Sequence, residues 1–242
     1  MFYLRVPLAL ALVMALGGCF LNTNSARVTT DYLATRKNVG VISLLTPHAN
    51  VSYLGTSAMD SRFSTALMTG WDTDALVWEL MEPRLRRKGF TVRRLPRNSA
   101  LEELARTDWR APGTDSAEAE IYAIGQSAGL DMIVVVQAYV SEDFVTHTNQ
   151  KIRGFGLQKA WDTDAFVYGT IYVEVYDTSR NFVAGQASGQ QVVAAAEGLW
   201  SNKFESNKGP LAVSGDQAEQ FKAQLKTILS NAIGVAAQEV GL

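Results

Sequence analysis

Apolar positions fall in short dense runs set between polar stretches. Val39-Gly-Val-Ile-Ser-Leu-Leu45 has the pattern of a buried strand and stops at Thr46-Pro47, where proline cannot continue a ladder. Phe90-Thr-Val-Arg-Arg-Leu95 predicts a second strand. Met132 to Val140 is almost wholly aliphatic and predicts the strongest one. Val167 to Tyr176 alternates, with Val167, Gly169, Ile171, Val173 and Val175 on one side and Tyr168, Thr170, Tyr172, Glu174 and Tyr176 on the other. Asp177-Thr-Ser-Arg-Asn181 is turn chemistry, and Phe182 to Ala195 returns as a hairpin partner.

Helical spacing runs through Leu76/Val77, Leu80/Met81 and Leu85, predicting a helix from Asp74 to Lys88 that Gly89 stops. Pro83 predicts a kink in it. Ser99 with Glu102 forms a capping-box pattern for a short helix through Arg106. Asp115 with Glu118 opens another, running to Ala128 with Gly129 as its cap. Asp216 and Glu219 open a long C-terminal helix with Phe221, Leu225, Ile228, Leu229, Ala232, Ile233 and Ala236 on one stripe. Residues 47–73, 141–165 and 198–215 keep no steady period and are expected as long loops. The third holds Trp200 and Phe204. The order β-α-β-α-α-β-β-β-α predicts a single α/β domain of the α+β mixed-sheet kind over 37–242. It has about five strands with helices packed on the sheet, a late antiparallel hairpin and an amphipathic C-terminal helix.

Of the 242 residues, 47% are hydrophobic and 19% charged, enough apolar material for a core. A net charge of -2 excludes a general nucleic-acid binder, which needs a basic excess. One Cys excludes a disulfide scaffold and a Cys-based zinc site, and two His disfavour a multi-His metal centre. No phosphate-binding glycine loop is present, and no cofactor is expected.

The N-terminus is more specific. Arg5 precedes an apolar run from Val6 to Leu16, followed by small residues, which is a secretory signal peptide and too short to span a bilayer. Leu16-Gly17-Gly18-Cys19 resembles a bacterial lipobox. The resemblance implies removal of residues 1–18 and acylation of Cys19, palmitate included. Several acyl chains anchor stably where one does not. Phe20, in place of Asp, implies sorting to the outer membrane. Residues 19–36 are polar and aperiodic and read as a lipidated tether.

The lipobox, the opening strand Val39–Leu45, and the late order of strand, hairpin and C-terminal helix together resemble a group of envelope lipoproteins. The group comprises the TolB amino-terminal domain, the lipoprotein activators of penicillin-binding proteins and the curli secretion channel lipoprotein. That resemblance covers about residues 39–45 and 116–240. It implies a small periplasmic α/β domain and transfers no functional residue apart from Cys19.

Five features are candidates for chemistry. Gly125-Gln-Ser-Ala-Gly129 spells the serine-hydrolase motif, but a helix precedes it and a strand follows, the reverse of a nucleophile elbow at Ser127. Trp71-Asp-Thr-Asp-Ala-Leu-Val-Trp78 nearly repeats as Trp161-Asp-Thr-Asp-Ala-Phe-Val-Tyr168. This is either a carboxylate pocket for Ca²⁺ from Asp72, Asp74, Asp162 and Asp164, or two caps. Arg84, Arg86, Arg87, Lys88, Arg93, Arg94 and Arg97 crowd together, as an anion dock or as a solvated helix end and strand face. Tyr168, Tyr172 and Tyr176 form a strip, either a covered sheet face or a partner surface. His48 and His147 stand alone in polar loops without an acid-base partner.

The expectation is a non-enzymatic binding or scaffolding lipoprotein on the periplasmic face of the outer membrane. Its candidate partner surface is Tyr168, Tyr172 and Tyr176 with Arg86, Arg87, Arg93 and Arg94. Partners would be the membrane, through the acylated N-terminus, and another envelope protein or peptidoglycan, not nucleic acid. The alternatives are a homo-oligomeric ring subunit of an export assembly and, in another class, an envelope hydrolase using Ser127.

Overall fold

The computed structural model describes residues 25–106, 115–201 and 216–242. The expected signal peptide, Cys19 and Phe204 lie outside the described residues. Within them the chain is a mixed α/β domain built on one sheet of nine strands, in the order β3-β2-β7-β8-β5-β1-β4, with β9 on β8 and β6 on β7.

The elements are α1 (Thr30–Ala34), β1 (Asn38–Ser43), β2 (His48–Leu54), β3 (Arg62–Leu67), α2 (Thr73–Arg87), β4 (Thr91–Arg94), α3 (Ser99–Arg106) and α4 (Asp115–Ser127). β5 (Met132–Ala138), β6 (Val140–Glu142), β7 (Lys151–Ala160), β8 (Ala165–Asp177), β9 (Phe182–Ala194) and α5 (Asp216–Glu239) follow. Two expected loops are therefore folded: 47–73 holds β2 and β3, and 141–165 holds β7 and part of β6. α2 continues through Pro83. The cap of α3 is Asn98, not Ser99, since the Leu101 amide donates to Asn98 Oδ1 at 2.9 Å.

β8 organises the sheet. One of its edges is shared end to end, by β7 along Ala165–Thr170 and by β5 along Ile171–Asp177. The opposite edge pairs with β9 along nearly its whole length. The changeover lies at Tyr139, whose amide donates to the Thr170 carbonyl at 3.0 Å while its carbonyl accepts from Gly154 at 3.1 Å. There the chain leaves β8 and pairs instead, as β6, with Lys151–Arg153. Gly154 takes φ +62°, a backbone region that costs a side chain energy. The result is an α/β lobe (β4, β1, β5) and a β lobe (β3, β2, β7) joined by the β8–β9 hairpin.

Both faces of the α/β lobe are covered. Val39, Val41, Val134, Val173 and Val175 meet α2 and α5. Ile42, Leu44, Ile133 and Val135 meet Leu101 of α3 and Ile121 of α4. The α5 stripe is buried as its spacing predicts, each large side chain contributing about 1.5–3 kcal/mol. α5 reaches β8 and β9 closely because both strands carry glycine under it. A Cβ at Gly169 would stand 2.9 Å from Ile228, and one at Gly189 only 1.9 Å from the Ala232 carbonyl oxygen.

The stretch assigned to a tether is, from Ala26 on, built onto the domain. Ala26 exchanges two backbone hydrogen bonds of 2.8 Å with Gln186 of β9. Val28 is buried, and its amide donates to the Val240 carbonyl at 2.9 Å. Arg36 pairs with the fully buried Asp177 at 2.5 Å and lies over the Tyr32 ring at 4.6 Å.

Candidate functional site

The Tyr strip is not a surface. Tyr168, Tyr172 and Tyr176 share one face of β8 as expected, and all three are buried. Tyr176 meets Tyr122 of α4 edge-on at 5.5 Å. Tyr172 stacks on Tyr139 at 4.9 Å. Tyr168 packs with Val145 of the β6–β7 connection and Ile152 of β7. Burial pushes the Tyr168 hydroxyl far above the usual tyrosine value and Tyr122 up to about 12. Glu174, between Tyr172 and Tyr176, is also buried and accepts from Gln137.

The Arg run does not form one patch either. α2 places Arg86 and Arg87 at one end and the loop after β4 at the other, roughly 20 Å apart for fifteen helical residues. Arg86 pairs with Glu82 at 2.9 Å. Arg93 donates to the Ala128 carbonyl at 3.2 Å. Arg94 approaches Asp72 at 3.8 Å and Arg97 meets Asp74 at 2.9 Å.

These pairs also explain the two Trp-Asp-Thr-Asp segments. In the first, Asp72 caps α2 by accepting from the Ala75 amide at 2.8 Å, and buried Thr73 donates to the Leu45 carbonyl at 2.6 Å. The second is the β7–β8 turn, closed by Thr163 on Ala160. The two copies thus perform different structural tasks. Among the described residues no group of three His, Cys, Asp or Glu is placed to hold a metal.

Ser127 ends α4 and its hydroxyl donates to the Ile124 carbonyl at 2.9 Å, so no nucleophile elbow forms. The motif's other residues pack the helix. Gly125 lies against Thr178, where a Cβ would come within 2.2 Å, and Gln126 donates to the Thr178 carbonyl and Asn181 at 2.9 Å each.

The β lobe is where the sequence reading ran short. Buried Asp143 organises the β6–β7 connection. It accepts from the amides of Val145, Thr146 and Thr148 and from both threonine hydroxyls, the latter at 2.6 Å each. Burial alone would raise its pKa, but these hydrogen bonds outweigh it and hold the carboxyl below the usual range. Its stabilisation is therefore present above the ordinary Asp value of about 3.9 and lost as pH falls through the depressed folded value. Asp143→Ala is expected to cost about 3 kcal/mol, with faster amide exchange at Thr146 and Thr148 as the measurement. This connection walls an open groove of about 400 Å³ whose lining includes Asn50, Ser52, Phe63, Thr65, Gln158 and Tyr168.

The groove ends on β3, an edge strand that among the described residues pairs only with β2. Edge strands normally carry charge, proline or cover to block further pairing. β4 has Arg93 and Arg94, and β9 has Ala26 across part of its edge. β3 from Phe63 to Leu67 has no charge and no proline. Arg62, its one cation, donates back to the Met59 and Ser61 carbonyls. Phe63 is 63% exposed and Leu67 59%, with Met59 at 87% in the preceding turn. Trp161, 46% exposed, adjoins that turn through its amide on the Leu54 carbonyl at 2.8 Å. An uncharged open edge lined with apolar side chains is suited to strand addition rather than to chemistry. The sequence signal was present in the polar–apolar alternation of His48-Ala-Asn-Val-Ser-Tyr-Leu54.

Comparison with known proteins gives a fold likeness at low scores. Lipoprotein GNA1162 from Neisseria meningitidis is 12% identical, with TM-score 0.33, covering 80% of this chain and 98% of that one. A PelC dodecamer from Paraburkholderia phytofirmans is 11% identical, with TM-score 0.35, covering 86% and 95%. Protein XCC0632 from Xanthomonas campestris is 9% identical, with TM-score 0.38, covering 85% and 84%. No family model and no curated protein matches the chain. With every one of these TM-scores below 0.5, neither an activity nor a partner follows from the likeness.

Proposed function

We propose that the protein is a lipid-anchored, non-enzymatic component of the cell envelope that binds an extended segment of another envelope protein along β3. The open, uncharged edge Phe63–Leu67, with its exposed apolar side chains, carries this reading. Main-chain hydrogen bonds would give affinity, and the Phe63 and Leu67 contacts would give selectivity. Cys19, acylated after loss of residues 1–18, would hold the domain at the periplasmic face of the outer membrane. That confinement raises its effective concentration near partners without any new contact.

The test is photo-crosslinking in cells from positions 63 and 67, with Val235 on exposed α5 surface as control. The expected result is one discrete adduct with an envelope protein from 63 and 67 and none from 235. Leu67→Asp is expected to reduce the adduct from position 63 roughly tenfold, and Phe63→Asp that from position 67, each changing stability by less than about 0.5 kcal/mol. No adduct from either position overturns the reading.

A second reading has its own observation. β9 is also uncharged, and it lies on the sheet edge away from β3 in the β lobe. Pairing of β3 with β9 of another copy would be head-to-tail and would close into a ring or run on as a filament. A self-adduct from position 63 would favour this export-subunit reading over the binder.

A further inference from the structure

We infer that the domain stands on the bilayer by the end where β1, β4 and β5 begin, and that anionic lipid headgroups are bound there by Arg27, Lys37, Arg87, Lys88 and Arg180. The inference rests on the lipid-anchor reading and adds to it an orientation and a second contact.

These five cations are far apart in sequence and share one end of the fold. The Lys37 carbonyl accepts from the Thr91 amide at 2.8 Å, which places Lys37 beside the start of β4 and the basic end of α2. The Lys37 amide donates to Asp131 at 2.8 Å, just ahead of β5. β5 begins opposite Asp177, the end of β8, and Arg180 lies in the turn that follows. Arg27 lies against Gly241, at the end of the chain. All five are exposed, and none has a side-chain ion pair among the described residues.

The acidic groups nearby are mostly engaged. Asp177 takes Arg36, Glu82 takes Arg86, and Asp131 accepts from the Lys37 and Asn38 amides. Asp131 keeps its charge on those neutral amides, so with Asp31 and Glu239 it makes three unpaired acidic side chains against five unpaired cations among the described residues. An end carrying more free cations than free anions attracts anionic headgroups, each cation adding about a fivefold gain in binding.

The leash favours this end independently of charge. Seven Cα steps separate Cys19 from Ala26, at most about 25 Å. Ala26 is fixed on β9 at Gln186. Phe182, at the basic end, is four residues away, roughly 13 Å. Ala195, at the β-lobe tip, is nine residues away, roughly 30 Å. The basic end therefore lies well within reach of a bilayer holding Cys19, while the tip lies at the limit of a fully extended leash. The same geometry presents β3 and Trp161 away from the membrane.

Several acyl chains on Cys19 already anchor the chain stably, so the patch adds orientation and not retention. It would stop the domain rotating on its leash.

The test is lysine acetylation footprinting of the intact mature protein in vesicles, with the N-terminal peptide's mass read in the same digest. Vesicles of phosphatidylcholine with phosphatidylglycerol are compared with phosphatidylcholine alone. Lys37 and Lys88 are expected to label at least about threefold more slowly in the anionic vesicles. Lys151 and Lys159, in the β lobe, are expected to label equally in both. Molar salt should restore Lys37 and Lys88, since it screens the contact. An acylated N-terminus with no protection overturns the docking and leaves the anchor standing. An unacylated N-terminus overturns the anchor, and the docking with it. Equal protection at Lys151 and Lys159 overturns the orientation.

Discussion

Arg36→Ala is expected to destabilise the domain by about 3–5 kcal/mol, because it leaves a buried carboxylate without its counter-charge. Asp177 is fully buried and divides its two oxygens. Oδ2 takes the Arg36 guanidinium at 2.5 Å. Oδ1 accepts from the Ser179 amide, the Ser179 hydroxyl and the Arg180 amide at 3.0, 2.7 and 2.9 Å. Asp177→Ala should therefore cost more than Arg36→Ala, since it also loosens the β8–β9 turn. Burial would raise the Asp177 pKa, but the bonds from Ser179, Arg36 and Arg180 win and lower it. A carboxyl depressed in the folded state stabilises above its unfolded value near 3.9, and that stabilisation is lost as pH falls through the folded value. Urea unfolding at pH 7 and pH 3 measures both effects. The loss on Arg36→Ala should be largest at pH 7 and shrink in acid. An Arg36→Ala protein as stable as the parent would show that the residues after Ala26 are only draped on the domain.

Gly189→Ala is expected to cost about 3 kcal/mol, the upper range for overpacking. The added Cβ would stand 1.9 Å from the Ala232 carbonyl oxygen and 2.9 Å from the Ala236 amide nitrogen. Both are helix backbone and cannot turn aside as a side-chain tip can. α5 would have to lift from the sheet and open the core around Phe221, Ile228 and Leu229. Gly234→Ala is the control on the same helix. Its Cβ would meet only Arg84 Nη2 at 3.5 Å, so the ordinary helix preference for alanine should stabilise by about 0.5–1 kcal/mol. Opposite signs in thermal melts of the two variants would confirm that α5 rests on Gly189.

Three elements show how far the sequence could be read. β8 was legible because strict alternation over ten residues admits only a strand. α5 was legible because its seven apolar positions fit one helical stripe. β7 was not. Its apolar residues are divided between the two faces, Ile152 on one and Phe155 and Leu157 on the other. β7 is buried on both faces, so its apolar residues keep to neither parity and leave no alternation for a sequence reading to find. β2 and β3 were hidden for a different reason. Their outer faces carry Asn, Ser and Thr, and their turn is rich in Ser, Gly and Met, so the polarity of an exposed lobe passed for that of a loop.

The candidate site divides in the same way. Alternation put Tyr168, Tyr172 and Tyr176 on one face, but alternation cannot say what lies over a face. α4, Tyr139 and the β6–β7 connection cover it, and all three arrive from elsewhere in the chain. Crowding in sequence put seven cations in one stretch, and a fifteen-residue helix then drew them apart while Arg27, Lys37 and Arg180 came in from distant positions. Local periodicity and turn chemistry alone determined the mixed α/β class, the late hairpin and the C-terminal helix, because those depend on neighbours within a few residues. Tertiary structure decided which faces are covered, which strand edge is left open and where free charge gathers, because each is set by contacts between residues far apart along the chain.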